Sequence, residues 1–374
     1  MKIGFDGKRA TTNSTGLGNY SRSLLLQLAA NYPKHEYYVY APKVDSKYKN
    51  HKLFSLASVF FKFPYFKKFS WFWRSFLMAR DAARDGVQIF HGLSHELPFF
   101  LKFNGLKSVL TVHDLIFLVH PENYSFFDRF IYNLKCKYAC RVADQIVAIS
   151  EQTKADIIRY YQIDEAKITV IYQGCDEQFQ IQWPNNKLEQ VRTKYNLPDK
   201  FILNVGTLET RKNLITAIEA LALLDENVHL VAIGKQTPYF QLINQKLNML
   251  NLSHRVHFFH QLPFFDLPAF YQMAIVMAYP SRYEGFGIPI IEALYSKLPV
   301  VAALGSCLEE AGGPDSLYFT PDDSTALAAH ITHILNNDAL REKMQENGLK
   351  FAQRFNSDQV AKHYMNCYLN LSTK

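Results

Sequence analysis

Residues Phe201–Leu224 read FILNVGTLETRKNLITAIEALALL. A short, nearly continuous apolar run ends at Gly206, and from Asn213 onward apolar positions recur with a helical period. A strand without polar alternation, followed by an amphipathic helix, is a βα unit whose sheet is covered on both faces. The pattern continues downstream at Val228–Ile233, Val256–Phe259, Ile275–Ala278, Val300–Ala303 and Leu317–Phe319, with an amphipathic stretch at Pro238–Leu250. Upstream it has already run once, at Lys2–Phe5, Glu36–Tyr40, Val87–Phe90, Ser108–Val112, Gln145–Ile149 and Thr169–Tyr172. Helical patterns lie near Asn19–Asn31, Phe126–Arg141 and Glu151–Tyr161. The expectation is an α/β protein with two doubly wound parallel sheets.

Length agrees. The chain has 374 residues, 48% hydrophobic and 20% charged, which excludes disorder and collagen-like structure and suits two domains. The polar stretch 174–199, broken by Pro184 and Pro198, reads as a linker with a hinge, leaving domains at 1–173 and 200–355. The C-terminal part reads as two helices, Asp338–Arg354 and Ser357–Leu371, with residues 356–374 as a terminal helix able to pack back on the first domain. Five scattered cysteines without CxxC spacing fit a reduced, cytosolic setting. The N-terminus, MKIGFDGKRA, has no apolar leader, and no uncharged run reaches the roughly 18 residues of a spanning helix, so a cytoplasmic location without a transmembrane anchor is expected. The net charge of +7 divides unevenly: residues 1–173 carry 24 Lys+Arg against 14 Asp+Glu, the remainder 17 against 20. The basic half suits an anionic partner, phosphate or membrane surface, or simply a solvated face.

In open parallel sheets ligands sit at the carboxyl ends of strands, and anions sit where a glycine turn opens a helix. TGLGNYS, with Gly16 and Gly18, follows the first strand, but Ser21 breaks the G-x-G-x-x-G dinucleotide pattern; a plain turn and a phosphate cradle both remain open. In the second half, Gly206 ends a strand and Arg211 and Lys212 stand at the expected helix start. Two adjacent cations can clamp a diphosphate there, and unliganded they would oppose the helix dipole. PSRYEGFGIPIIEAL follows the strand IVMAY and spaces Glu284 and Glu292 eight apart, one in a glycine-bearing loop and one a turn or more into a helix. Carboxylates accept well from sugar hydroxyls.

Taken together, these motifs resemble the retaining glycosyltransferases of family 4. The most specific is the E-x7-E motif from Glu284 to Glu292, supported by NVGTLETRKN, LPVVAA, TGLGNYSR, VHDL, VAISEQTKADI and VIYQG. The resemblance runs from Ile3 to about Phe355 and implies the GT-B fold, two Rossmann-like domains with parallel sheets facing across a cleft. It also implies roles. Gly16 and Gly18 would face the donor diphosphate, which Arg211 and Lys212 hold from the other domain beside Gly206. Glu284 would contact the transferred sugar and Glu292 the ribose hydroxyls; backbone N–H groups of Phe286 and Gly287 would reach sugar or phosphate, and His113 of TVHDL would lie near the donor sugar. Three departures bear on donor choice: Lys297 where a small residue or glycine is usual, His260 with Gln261 in FFHQLP, and Glu309 with Glu310 in CLEEAGG.

The implied activity is transfer of a hexose, with mannose from GDP-mannose the leading donor, to a surface-glycan or polyprenyl-linked saccharide acceptor. Alternatives are a UDP- or dTDP-sugar donor, a GT-B epimerase, or a non-catalytic sugar-nucleotide binder. Neither DxD nor metal-ligand spacing occurs, so no metal and no cofactor are expected. Residues 52–80, dense in Phe, Trp and Lys, suit a peripheral contact at the inner face of the membrane, or core packing; both stay open. No nucleic-acid motif is present.

Overall fold

The computed structural model describes residues 1–65 and 67–373, with the side chains of Lys67 and Asn123 excepted. Two compact units divide the chain: Met1–Gly174 with Asn356–Lys374, and Cys175–Phe355. The stretch 175–199, read from sequence as a linker, groups with the second unit and contains the helix Asn185–Tyr195. Pro184 does not interrupt that helix but stands at its N-cap, where its fixed φ and missing N–H are harmless.

The first unit holds a seven-stranded parallel sheet. Its strands are β1 (Lys2–Asp6), β2 (Glu36–Tyr40), β3 (Val59–Lys62), β4 (Ile89–Gly92), β5 (Lys107–Val112), β6 (Gln145–Ala148) and β7 (Ile168–Val170). Their order is β3-β2-β1-β4-β5-β6-β7. β3 is an edge strand that the sequence reading lacks, because Phe60, Phe61 and Lys62 stay partly or largely exposed and show no buried run. Alternate residues of each strand enter separate cores. Ile3, Phe5, Tyr37 and Val39 pack with Leu24, Leu25 and Leu28 of helix Gly16–Asn31 and with Tyr364 and Tyr368 of helix Ser357–Ser372. Tyr38, Tyr40, Phe90 and Leu110 pack with Met78, Ala139 and Ile157 from three helices on the other face. The C-terminal helix therefore completes one face of the first sheet. It is tied in by a buried polar chain: the Tyr20 and Tyr364 hydroxyls are 2.6 Å apart, and His91 joins the Tyr368 hydroxyl at 2.7 Å and Thr111 at 2.8 Å.

The second unit holds a six-stranded parallel sheet with strands β8 (Phe201–Val205), β9 (His229–Ile233), β10 (Val256–Phe259), β11 (Val276–Tyr279), β12 (Val300–Ala303) and β13 (Leu317–Phe319), in the order β10-β9-β8-β11-β12-β13. Every strand pair in both sheets is parallel.

The unusual Lys297 has a physical reading. It follows helix Ile288–Tyr295 with φ 56°, and the Leu298 N–H closes the helix on the Ala293 carbonyl at 2.8 Å. That left-handed end is where glycine normally sits without strain. Glu309 and Glu310 lie in the first turn of the short helix Leu308–Gly312, where negative charge is favourable.

Two stability outcomes follow. Lys297→Gly raises unfolding free energy by about 0.5–1 kcal/mol in urea titrations. Tyr364→Phe, which removes one buried hydroxyl, lowers stability by about 1 kcal/mol, whereas Tyr364→Ala lowers it by about 3–5 kcal/mol. Equal effects from the two Tyr364 variants, read by thermal unfolding, would mean that the ring does not anchor the terminal helix.

Candidate active site

In the second sheet the chain runs from β8 outward through β9 and β10, then returns to β11 beside β8 and runs the other way. Loops after two strands flanking such a reversal part from each other and leave a crevice at the carboxyl ends. Here those loops are 206–213 and 280–287, and they carry six of the expected residues: Gly206, Arg211, Lys212, Glu284, Phe286 and Gly287.

Arg211 and Lys212 do not open the helix, as the sequence suggested. They sit in a 3-10 turn, Thr210–Lys212, and Asn213 in the left-handed region (φ 57°) separates them from helix Leu214–Leu221. Both cations turn to Glu284: Lys212 Nζ lies 2.5 Å from Oε1 and an Arg211 guanidinium nitrogen 2.9 Å from Oε2. Ser281 Oγ donates to Oε1 at 2.6 Å and the Tyr279 hydroxyl at 3.2 Å, while Lys212 Nζ donates to the Tyr279 oxygen at 2.8 Å. Arg211 also donates to the Tyr283 carbonyl and pairs with Glu209 at 2.5 Å. The opposition to the helix dipole thus has a local answer, two carboxylates beside two cations. Burial alone would push the Glu284 carboxyl up; the charges of Lys212 and Arg211, with hydrogen bonds from Lys212 and Ser281, outweigh it and hold the pKa at about 2. Arg211 moves above its usual range, because Glu284 and Glu209 outweigh its own burial.

Glu292 is held separately. It lies in the second turn of helix Ile288–Tyr295, 7% exposed, and the Tyr271 hydroxyl donates to it at 2.6 Å. With no cation to offset it, burial pushes this carboxyl up to about 7; the Tyr271 bond works against the shift and the charge of Asp176 adds to it. Gly287, with φ 140°, turns the chain into that helix, and a Cβ there would come within 3.1 Å of Ala311 Cβ. The carbonyls of Glu284 and Phe286 lie 3.1 and 2.7 Å from Cys307 Sγ, which ties this loop to the segment after β12. Of the donor-choice residues, His260 joins the Gly234 carbonyl through Nδ1 at 3.0 Å.

In the first unit, Gly16 opens helix Gly16–Asn31, and a Cβ there would meet open space. Gly18 differs: a Cβ would stand 1.9 Å from the Asn13 carbonyl oxygen, so that only glycine fits, and Arg22 pins the same loop by donating to Ala10 and Asn13 carbonyls. His113 follows β5, almost fully buried. Its Nε2 donates to the Leu93 carbonyl at 2.8 Å, and Gln173 donates to Nδ1 at 2.8 Å. Burial, with His95 nearby, pushes its pKa down to about 3, so the imidazole is neutral.

Several participants escaped the sequence reading. Tyr279, Ser281, Glu209 and Cys307 touch the Glu284 cluster, and only Ser281, three residues before Glu284 in the motif, carried a local signal. A second buried charge cluster lies where the first sheet reverses, between β1 and β4: Arg74 Nε donates to Asp6 at 2.8 Å and another guanidinium nitrogen to Glu96 at 2.5 Å. Arg74 belongs to the aromatic-basic segment 52–80, so one of its charges is spent inside the fold. Among the described residues, no group of three or more His, Cys, Asp or Glu could hold a metal ion.

The raised carboxyl has a measurable consequence. Because Glu292 binds its proton more tightly folded (about 7) than unfolded (4.5), its contribution to stability falls as pH rises across that window. Glu292→Gln removes the titration. The variant therefore gains on the wild type by up to about 3 kcal/mol between pH 4.5 and 7.5 in paired urea unfolding curves. A pH-independent difference would contradict the placement of Glu292 in an uncompensated buried site.

Two family profiles cover most of the chain: "Glycosyltransferase Family 4" matches residues 14–179 and "Glycosyl transferases group 1" residues 186–351. The O-antigen chain mannosyltransferase B of Escherichia coli is 30% identical over 286 residues, 75% of this chain and 74% of that protein. The Salmonella typhimurium O-antigen chain mannosyltransferase RfbU is 28% identical over 228 residues, 61% of either chain, so this chain spans about three fifths of its length. Among solved structures, Anabaena HepE in complex with UDP and glucose superposes with a TM-score of 0.77 at 20% identity, covering 99% of this chain and 100% of that one. The Thermosynechococcus elongatus sucrose-phosphate synthase gives 0.78 at 22%, covering 99% of each. The structural likeness establishes the GT-B fold, and the relatives establish the reaction class: the chain belongs to glycosyltransferase family 4 and is a glycosyltransferase.

Proposed function

We propose that this enzyme transfers a hexose, mannose from GDP-mannose, with retention of anomeric configuration to a surface-glycan or polyprenyl-linked saccharide, without a divalent metal. The mannosyltransferase relatives support the sugar. The observation that carries the reading is the cluster of Arg211, Lys212 and buried Glu284 at the strand reversal of the second sheet.

Arg211 and Lys212 are assigned to the departing diphosphate, with Gly206 leaving room: even a Cβ there would stand 3.5 Å from the Lys212 side chain. Glu284, already fixed by four donors, is assigned to the hydroxyls of the transferred sugar, and Glu292 to the ribose hydroxyls. Backbone N–H groups of Phe286 and Gly287 are assigned to sugar or phosphate. In the first unit, Gly16 and Gly18 are assigned to the diphosphate, and His113 to the sugar as a neutral imidazole. In the reaction the acceptor oxygen bonds to the anomeric carbon as the carbon–phosphate-oxygen bond breaks on the same face. The leaving phosphate oxygen takes the acceptor proton, so no protein base is required. Catalysis then rests on charge placed in advance, since Glu284 holds both cations in position before the diphosphate develops its negative charge. The acceptor reading carries with it a peripheral contact with the inner face of the membrane through residues 52–80.

Thermal stabilisation by GDP, UDP, dTDP, ADP and their hexose forms tests the donor. GDP and GDP-mannose are expected to raise the melting temperature, with the shift lost in Glu292→Ala and Arg211→Ala. Stabilisation by UDP or dTDP instead would replace the donor but keep the site; shifts unchanged in both variants would displace the site itself. In turnover assays Arg211→Ala lowers kcat by about 10²–10³-fold with a smaller change in KM.

A further inference from the structure

The turn Thr210–Lys212 is held from two directions. Glu284 takes the side chains of Arg211 and Lys212, and Arg282 takes the backbone. The Arg282 N–H donates to the Arg211 carbonyl at 2.9 Å, and a guanidinium nitrogen donates to the Thr210 carbonyl at 2.7 Å. The same guanidinium meets Asp322, with a terminal nitrogen 2.5 Å from Oδ1 and Nε 3.3 Å from Oδ2, a two-pronged pairing that fixes a plane as well as a distance. Asp322 Oδ1 also accepts from the Asn213 side-chain amide at 2.9 Å. The chain of contacts thus closes on the residue that ends the turn.

Two backbone conformations mark the same place. Asn213 (φ 57°) and Asp322 (φ 72°) both stand in the left-handed region, which Asn and Asp tolerate better than other residues with a side chain. Such a conformation persists where its surroundings hold it, and here the Asn213–Asp322–Arg282 contacts do so. They join the loops that follow β8, β11 and β13, so three strand ends meet in one network. Unlike Glu284, the pair is open to water: the side chain of Arg282 is 36% exposed and that of Asp322 57%. An ion pair so wet adds little to global stability, so its effect is local.

We propose that Arg282 and Asp322 are positioning residues for the diphosphate, a latch that keeps the turn Thr210–Lys212 in the shape that presents both cations. The inference rests on the reading of Arg211 and Lys212 as diphosphate ligands and adds what holds them when the ligand arrives. A diphosphate competes with Glu284 for both cations, so the side-chain anchor slackens as the ligand binds. The backbone anchor, through the Thr210 and Arg211 carbonyls and the Asn213 amide, draws on neither cation and stays. Charge fixed in advance is what makes electrostatic stabilisation effective, and a displacement of about 1 Å loses much of it.

Two measurements on the whole chain test it: amide hydrogen exchange without ligand, and calorimetric binding of inorganic pyrophosphate. The variants are Arg282→Ala, Arg282→Lys and Asp322→Asn, the last chosen because Asn accepts a left-handed φ. Exchange at Lys212 and Asn213, whose N–H groups bond to the Glu209 and Thr210 carbonyls, is expected to be about tenfold faster in Arg282→Ala and Asp322→Asn, with β8 amides unchanged and the melting temperature within about 2 °C of the wild type. Pyrophosphate affinity falls about three- to tenfold in both. The sign for Asp322→Asn is decisive. It removes a negative charge near two cations, so a purely Coulombic role predicts tighter binding and a latch predicts weaker. Arg282→Lys keeps the charge but loses the planar fork, and is expected to bind as weakly as Arg282→Ala. Tighter binding by Asp322→Asn, wild-type binding by Arg282→Lys, or unchanged exchange in the turn overturns the proposal. A wild type that binds no pyrophosphate, or an Arg211→Ala variant that binds it equally well, defeats the diphosphate assignment instead, and the exchange rates then decide the latch by themselves.

Discussion

A carboxylate buried where two parallel strands part company has to be neutralised, and Glu284 is neutralised by the two cations proposed to act on the donor. Its oxygens take Lys212 at 2.5 Å and Arg211 at 2.9 Å, and both cations come from the loop after the neighbouring strand. The parallel register of β8 and β11 is the condition for this, since only adjacent strands with a common carboxyl end deliver both loops to one place. Removing one partner would leave a buried charge unmatched, which is far costlier than the pair is stabilising. Stability and the proposed chemistry therefore lean on the same three side chains.

The two motif carboxylates show how environment divides roles between identical groups. Glu284, between cations, is held ionised down to about pH 2; Glu292, facing a tyrosine hydroxyl and the field of Asp176, keeps its proton to about 7. Burial acts on both in the same direction, so the difference is entirely one of neighbours. The ribose hydroxyl proposed for Glu292 would meet a carboxyl close to its titration point, and the sugar hydroxyl proposed for Glu284 a permanent anion.

The first unit repeats the topology with different contents. Its reversal point between β1 and β4 is closed by the Asp6–Arg74–Glu96 ion cluster, and the mass of exposed aromatic side chains lies in the same unit. Its sheet is finished by a helix from the far end of the chain, because a parallel sheet needs both faces covered and the local helices cover only one completely.

Much of this was legible in sequence. Twelve of the thirteen strands among the described residues appear as apolar runs, and the glycine and carboxylate spacing of PSRYEGFGIPIIEAL marks the loop and helix that bear Glu284 and Glu292. Buried parallel strands and helix periods are local properties of composition, which is why they can be read without coordinates. The edge strand β3 escaped because one side of it is wet, and the helix Asn185–Tyr195 because its polar surface leaves only Val191 buried. What only the tertiary structure decided is which charges meet. Nothing in the spacing of Arg211, Lys212 and Glu284 says that the cations turn to the carboxylate, and nothing local says that Glu292 meets Tyr271 or that Arg74 is consumed by Asp6 and Glu96, since each pairing joins different elements of the fold. Charge interactions depend on distance and burial in three dimensions, and those are set by strand order rather than by position along the chain.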